Sequence, residues 1–442
     1  MKHSKSALTL ICLVTITALL LAACGQAQPT PTEEAPPATE APAPAVTEAP
    51  PAEPIQLTFW NYWDGTNGEV IQALVDEYNE AHPEVVITNT FIGWGELLPK
   101  LQTASAGGEQ PDIAAIDLVW MPQLTSTGAL VELTPYVEAA GLDMTDFYPY
   151  ILNIDRVGET YYGLPVSTNN LELFYNRDLF TAAGLDPDTP PTTWEELQTM
   201  ASQCGDPAQG ISGMELYTEP GEGLTWQFQV YLWEAGGEFL TPDLSAAAFN
   251  SEAGARALQF WVDLIDSGAA PLASWGLFGQ GMACMVMDGS WMVGIWADSA
   301  TFDWATAPVP YPSDGQRATN MGGEHLILFQ TDEARQQAAF DFITWLTGTQ
   351  TQIRWDQETG FMPVRASVAS DPGYVSWMQD TEPRLQAFVE SQQYAHNRPM
   401  IANYAEVSDA FSRELERALL GEVTVAEALA SAEAAVNDLL GQ

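Results

Sequence analysis

Ile55, Leu57 and Phe59 alternate with Gln56 and Thr58, the two-residue period of a strand with one covered face. Val70, Ile71, Leu74, Val75 and Tyr78 then follow helical spacing, and Pro83 stops that helix. Val85 to Phe91 reads as the next strand. Glu96 to Ala106 reads as a helix closed by Gly107-Gly108, and Pro111 to Ile116 as a third strand. Strand, helix and strand at this spacing predict a parallel sheet with right-handed crossovers. Ligands of such sheets bind beyond the carboxyl ends of the strands. That rule selects three loops: Asn61-Tyr62-Trp63-Asp64, the residues around Trp94, and Asp117 to Trp120.

Each of these loops carries an indole, and two also carry an amide or carboxylate: Asn61 with Trp63, and Asp117 with Trp120. Sugars ask for this mixture. Their C–H faces stack on aromatic rings, and their hydroxyls pair with planar groups such as Asp, Asn and Glu. Trp60, Trp261, Trp304 and Trp345 lie inside strand-like or helix-like patterns and are read as packing residues.

The start of the chain sets the compartment. Lys2, His3 and Lys5 precede an apolar run from Ala7 to Leu20. That run is too short to span a bilayer and has the shape of a signal peptide. It ends in Leu21-Ala22-Ala23-Cys24, which resembles a bacterial lipobox, so residues 1–23 are read as the leader and Cys24 as the lipidated residue. Residues 24–54 are built from Pro, Ala, Thr and Glu and are expected to form a disordered, PPII-like tether. No later stretch has about 18 continuous apolar residues. The expected location is the cell membrane, with the chain lipid-anchored on its extracytoplasmic side.

The remainder is long enough for two lobes. Its charge is extreme: 59 acidic against 14 basic residues give a formal −45. Beyond the leader, Lys100 is the sole lysine. Such a field repels nucleic acid and anionic lipid, and opposes a phosphate ligand unless an Arg intervenes. Cys204 and Cys284 are left either as a disulfide or as two buried thiols. No Cys/His cluster suggests zinc, and no metal or cofactor is expected.

Catalytic motifs are lacking. There is no HExxH, no G-x-S-x-G elbow and no GxxxxGK[ST] loop. A secreted glycoside-active enzyme would need two carboxyls flanking one bond, for which Asp117 and Glu324 are the candidates. The chain is read as a binding protein rather than an enzyme.

Several ordered blocks carry a resemblance. They are Tyr162-Gly163-Leu164-Pro165-Val166, Leu173 to Phe180, Pro191 to Leu197, Trp233-Glu234-Ala235-Gly236-Gly237, Met287-Asp288-Gly289-Ser290-Trp291, Gly322-Gly323-Glu324-His325 and Thr359 to Arg365. Together they resemble the bacterial extracellular solute-binding proteins of family 1, the maltodextrin-binding-protein-like sugar carriers. The resemblance implies an α/β, periplasmic-binding-protein-like fold, two α/β lobes joined by hinge strands with a ligand cleft between them. It implies a first lobe over 55–165, a second over 166–307, a return to the first over 308–364, and C-terminal helices of the second over 365–442. Crossings are therefore expected near Pro165 to Ser167, near Ala307 to Val309 and after Val364. Carried over by position, it marks Asp117, Asn169, Trp226, Trp291, Gly322, Gly323, Glu324 and Arg365 as ligand contacts, beside Asn61, Trp63, Trp94 and Trp120 from the loops. Its partners would be a neutral mono- to oligosaccharide and the transmembrane subunits of an ABC permease, served by a monomer. A glycerol-phosphate ester on the same fold is the alternative ligand.

Overall fold

The computed structural model describes residues 53–272 and 275–441. The leader, Cys24 and all but the last two residues of the tether lie outside them. Twelve strands occur among the described residues: β1 (Ile55–Asn61), β2 (Val85–Phe91), β3 (Ile113–Asp117), the small hairpin β4 (Arg156–Val157) and β5 (Thr160–Tyr161), β6 (Gly163–Pro165), β7 (Asn169–Asn176), β8 (Met285–Gly289), β9 (Trp304–Ala307), β10 (Thr319–Gly322), β11 (Glu324–Leu328) and β12 (Ala395–Asn397). They build two five-stranded sheets beside the hairpin. The first runs β2-β1-β3-β11-β6. The second runs β12-β10-β7-β8, with β9 also paired to β7. The expected strand–helix–strand start is present: β1 pairs in parallel with both β2 and β3.

Local chemistry accounts for these elements. The alternation in β1 buries Leu57, Phe59 and Asn61. The helix Gly65–Ala81 buries Val70, Ile71, Leu74, Val75 and Tyr78 on one stripe and stops one residue before His82-Pro83, because the residue before proline disfavours helical backbone. The next helix, Trp94–Gly107, ends on Gly108 at φ +73, a left-handed cap that glycine adopts without steric cost. Lys100 on this helix holds its ammonium 4.9 Å over the Trp60 ring. Each lobe has an aromatic core. Phe59, Phe342 and Trp355 pack in the first, and Phe228, Trp261 and Phe411 in the second. Full burial of such side chains contributes about 1.5–3 kcal/mol apiece.

The crossings are short. β6 ends the first sheet at Pro165 and β7 opens the second at Asn169, with only residues 166–168 between. The return differs from the sequence expectation at Ala307 to Val309. β10 still belongs to the second sheet and β11 to the first, so the chain comes back at Gly323. Residues 308–318 stay with the second lobe because its buried polar groups hold them. Val309 N–H donates to Glu172 at 2.8 Å, and Gln316 N–H to the Glu234 carbonyl at 3.0 Å. Gly323 sits at φ +159, where an added Cβ would lie 2.5 Å from the Ser167 carbonyl oxygen. The two crossings thus touch each other and leave no room for a side chain. Beyond Val364 the chain passes between lobes again. Arg365 pairs with Asp146 beside the first lobe, whereas Leu385 and Phe388 pack with Phe174 of the second.

Cys204 and Cys284 form a disulfide with Cα atoms 6.3 Å apart, which resolves the two alternatives left by the sequence. It ties the end of the helix Trp194–Cys204 to the entrance of β8. Closing a loop with a sequence separation of 80 should stabilise the fold by about 4 kcal/mol on chain-entropy grounds. Denaturant unfolding of Cys204→Ser/Cys284→Ser should show a loss of that order; an unchanged midpoint would show that the bond contributes nothing.

Glu172 is fully buried on β7, and burial pushes its carboxyl up to about 8. The folded state therefore holds a proton that the unfolded chain releases near pH 4.5. Stability is fully present below that point and is lost as pH rises to about 8, by at most about 1.4 kcal/mol per unit. Glu172→Gln keeps an acceptor for Val309 and should flatten the fall in melting temperature between pH 5 and 8. An identical slope in the variant would refute the assignment.

Candidate functional site

Asp117 stands at the carboxyl end of β3, in register with Glu324 on the antiparallel β11. Its Oδ1 accepts from the Val119 N–H at 3.2 Å, capping the turn Leu118–Trp120. That turn buries Trp120, whose ring lies 5.3 Å from Trp94 and 5.8 Å from Tyr62. Trp94 opens its helix, remains 36% exposed and donates its indole N–H to Asp117 Oδ2 at 3.2 Å. Tyr62 donates its hydroxyl to Glu324 Oε1 at 3.1 Å, and Ser167 Oγ donates to Oε2. Burial raises the Glu324 carboxyl to about 7, and the nearby Asp117 charge adds to the rise.

The second lobe supplies the facing wall. Trp226, on the helix Glu222–Glu234, and Trp291, at the start of the helix Trp291–Ser299, stack with centroids 5.3 Å apart and planes 11° from parallel. Glycines make this possible. A Cβ on Gly289 would fall 1.7 Å from the Trp291 ring, and one on Gly322 would lie 3.1 Å from Trp226 and 2.1 Å from Asn169 Oδ1. Asn169 opens β7 with that oxygen buried and unpartnered among the described residues. Trp291 also closes on the first lobe, its carbonyl accepting from Asn67 at 3.4 Å.

Between the walls lies Arg398, 2% exposed. Its Nη2 donates to Asp117 Oδ1 at 2.6 Å; its Nη1 reaches Asp117 Oδ2 at 3.2 Å and Glu222 Oε1 at 2.9 Å. The guanidinium also lies 5.2 Å from the Trp226 ring centre. Burial opposes its charge, but Asp117 and Glu222 outweigh burial and hold it protonated. Burial raises the Glu222 carboxyl against the pull of Arg398, while Tyr404 and Ser408 donate to it. One cation is thus shared by two carboxyl groups, with Glu324 in register beside Asp117 on the neighbouring strand. Among the described residues no group of three or more Asp, Glu, His or Cys is arranged to hold a metal ion.

Trp94, Asp117, Trp120, Asn169, Trp226, Trp291, Gly322, Gly323 and Glu324 are brought to this interlobe cluster. Three expected residues are not. Trp63 continues the parity of Leu57, Phe59 and Asn61, so it turns to the helix-covered face and packs edge-on against Trp355 at 4.8 Å. Asn61 holds the turn, donating to Asn89 at 2.5 Å and accepting from the Trp63 N–H. Both line a separate crevice of about 560 Å³ with Phe91. Arg365 donates to the Thr347 carbonyl and to Asp146 and stacks 3.8 Å from the centre of Phe147, a packing position in the first lobe. Conversely, sequence reasoning passed over Tyr62, Ser167, Glu222 and Arg398. Parity alone would have turned Tyr62 toward the site. In a chain with 14 basic residues, each isolated Arg invited scrutiny.

A sequence model of the bacterial extracellular solute-binding proteins matches residues 62–353. A crystal structure of a cyclic α-maltosyl-1,6-maltose binding protein from Arthrobacter globiformis is 46% identical, covering 88% of this chain and 99% of that one at a TM-score of 0.75. An ABC transporter solute-binding protein from Thermotoga lettingae, bound with α-D-tagatose, is 28% identical over 88% of this chain and all of that one, with a TM-score of 0.80. The sn-glycerol-3-phosphate-binding periplasmic protein UgpB of Yersinia enterocolitica is 24% identical, covering 85% of this chain and 90% of that one. With two sheet-based lobes meeting at an aromatic and carboxylate cluster, and a family match over most of the folded chain, this protein belongs to the bacterial extracellular solute-binding proteins.

Proposed function

We propose that this chain is the extracytoplasmic substrate-binding lipoprotein of an ABC importer, that it holds a neutral oligosaccharide between its lobes, and that it hands the sugar unaltered to the permease. The observation that carries this reading is the parallel Trp226–Trp291 pair beside the Asp117–Arg398–Glu222 cluster. Stacked indoles suit the apolar faces of pyranose rings, and ionised planar groups suit their hydroxyls. The 46% identity to the Arthrobacter carrier favours a glucose-based, cyclic or branched ligand.

The glycerol-phosphate reading has the UgpB likeness behind it. Against it stands the charge of the site. The guanidinium that would receive a phosphate is already shared by two carboxylates, and Glu324 lies beside them. A phosphate ester asks for unpaired Arg or a free helix N-terminus. Asp117 and Glu324, the pair that a hydrolase would use, are engaged by Arg398 and by Ser167 and Tyr62 respectively.

Calorimetry against maltose, maltotetraose, cyclic α-maltosyl-1,6-maltose, glycerol 3-phosphate and glycerophosphocholine tests the reading. Binding of a glucan, recovered intact, is the expected result. Response to the phosphate esters alone would overturn it. Trp291→Ala should weaken glucan binding by about 1–3 kcal/mol, the scale of losing one large buried contact; unchanged affinity would remove Trp291 from the site. For the anchor, Cys24→Ala should move the protein from the membrane fraction to the soluble fraction. Persistence of the variant in the membrane fraction would refute lipidation there.

A further inference from the structure

Asn61 and Trp63, selected from the sequence as ligand residues, line a crevice of about 560 Å³ outside the interlobe cluster. Strand parity sets its position. Asn61 and Phe91 end β1 and β2 in register, on the sheet face that the helix Gly65–Ala81 covers. That helix begins only at Gly65 and leaves this end of the sheet open; Phe91 is 54% exposed. Three planar amides lining the crevice run head to tail. Asn61 Nδ2 donates to Asn89 Oδ1 at 2.5 Å, Asn89 Nδ2 to Gln72 Oε1 at 3.1 Å, and Gln72 Nε2 to Asp76 Oδ1 at 2.9 Å. An amide offers two donors and two lone pairs, so this row keeps capacity for an outside partner. Trp63, 4% exposed, lines the same crevice, and its indole N–H is unpartnered among the described residues.

We propose that this crevice is an accessory glucan subsite, with Phe91 as its stacking face and the Asn61–Asn89–Gln72 row as its hydroxyl partners, filled by the outer residues of an oligosaccharide whose inner residues lie in the interlobe cleft. This rests on reading the cluster as a sugar cleft, and it adds where a longer chain continues. The two regions adjoin. Phe91 stands three residues before Trp94, so chain reach keeps their Cα atoms within about 11 Å, and Trp94 donates to Asp117 in the cluster. Gly93 lies between them, and a Cβ there would meet nothing within 4 Å, so the ridge between crevice and cleft is open to a crossing chain. The chemistry selects a neutral polyol. An exposed phenyl face stacks on the C–H face of a sugar ring, while the amides with Asp64, Glu69 and Asp76 take its hydroxyls. Among the described residues no Lys, Arg or His lines the crevice, which disfavours an anionic ligand. Nor do its acids form a group able to hold a metal ion among those residues.

Calorimetry of the full mature chain with maltose and with maltohexaose reads the subsite as a ratio of association constants. The parent protein should favour maltohexaose. Phe91→Ala should lower that ratio about three- to tenfold, the scale of one aromatic contact, and Phe91→Trp should restore it. Asn89→Ala breaks the amide row and should lower the ratio as well. Phe91 is more than half exposed, so its variants decide the matter if Asn89→Ala fails to fold. A ratio in Phe91→Ala equal to that of the parent would overturn the subsite and leave the sugar cleft standing. Loss of sugar uptake by cells carrying Phe91→Ala, with the ratio unchanged, would also overturn it and would assign the crevice to the permease. Failure of the parent to bind either glucan would count against the sugar cleft itself, and the subsite would fall with it.

Discussion

A guanidinium taken out of water among carboxylates constrains much of what surrounds it. Removing such a charge from solvent costs several kcal/mol, offset only when every neighbouring group is well placed. The placement here draws on widely separated stretches: the end of β3 for Asp117, the first residue of a helix for Glu222, and the segment after β12 for Arg398 itself. The aromatic walls complete the arrangement by excluding water. Trp94 and Trp120 lie on one side and Trp226 and Trp291 on the other, so the ion pair sits in a medium where its attraction is larger than at a surface.

Much of the architecture was legible because it follows from period and punctuation. The alternation in β1, the stripe on the first helix, the stop at Pro83 and the glycine cap at Gly108 are local effects, and the structure reproduces them within a residue or two. The return crossing was not legible. The segment 308–318 has the look of a connector, and what keeps it on the second lobe is hydrogen bonding to Glu172 and Glu234, residues far away in sequence. Trp63 was misplaced for another reason. Its neighbours suggested a loop, but the strand parity ran on past the last paired residue. The scarcity of basic residues singled out every arginine equally, so Arg398 was passed over: a lone arginine before a proline carries no pattern of its own, and its meaning arises only when three chain segments meet. The cysteine pair shows the same limit: residue counting permits a bond that only proximity decides.

The buried carboxyl groups cast the acidic composition in a different light. Glu172, Asp288 and Glu324 all have raised pKa values, each chiefly through burial. Surface acids contribute charge; these interior acids contribute proton uptake on folding. Both effects favour the same conditions. Lowering the pH relieves repulsion among the many external carboxylates and also keeps the internal ones neutral. An acidic exterior and an acid-tolerant interior are therefore consistent features of one sequence.

The solitary ammonium of Lys100 has a practical corollary. It rides on the outer helix of the first lobe, resting against Trp60, while residues from Ile55 onward offer no second lysine. Amine-coupling reagents applied to the folded domain would attach at that single side-chain position. Side-chain labelling would therefore fall on the first lobe alone and leave the second unmodified.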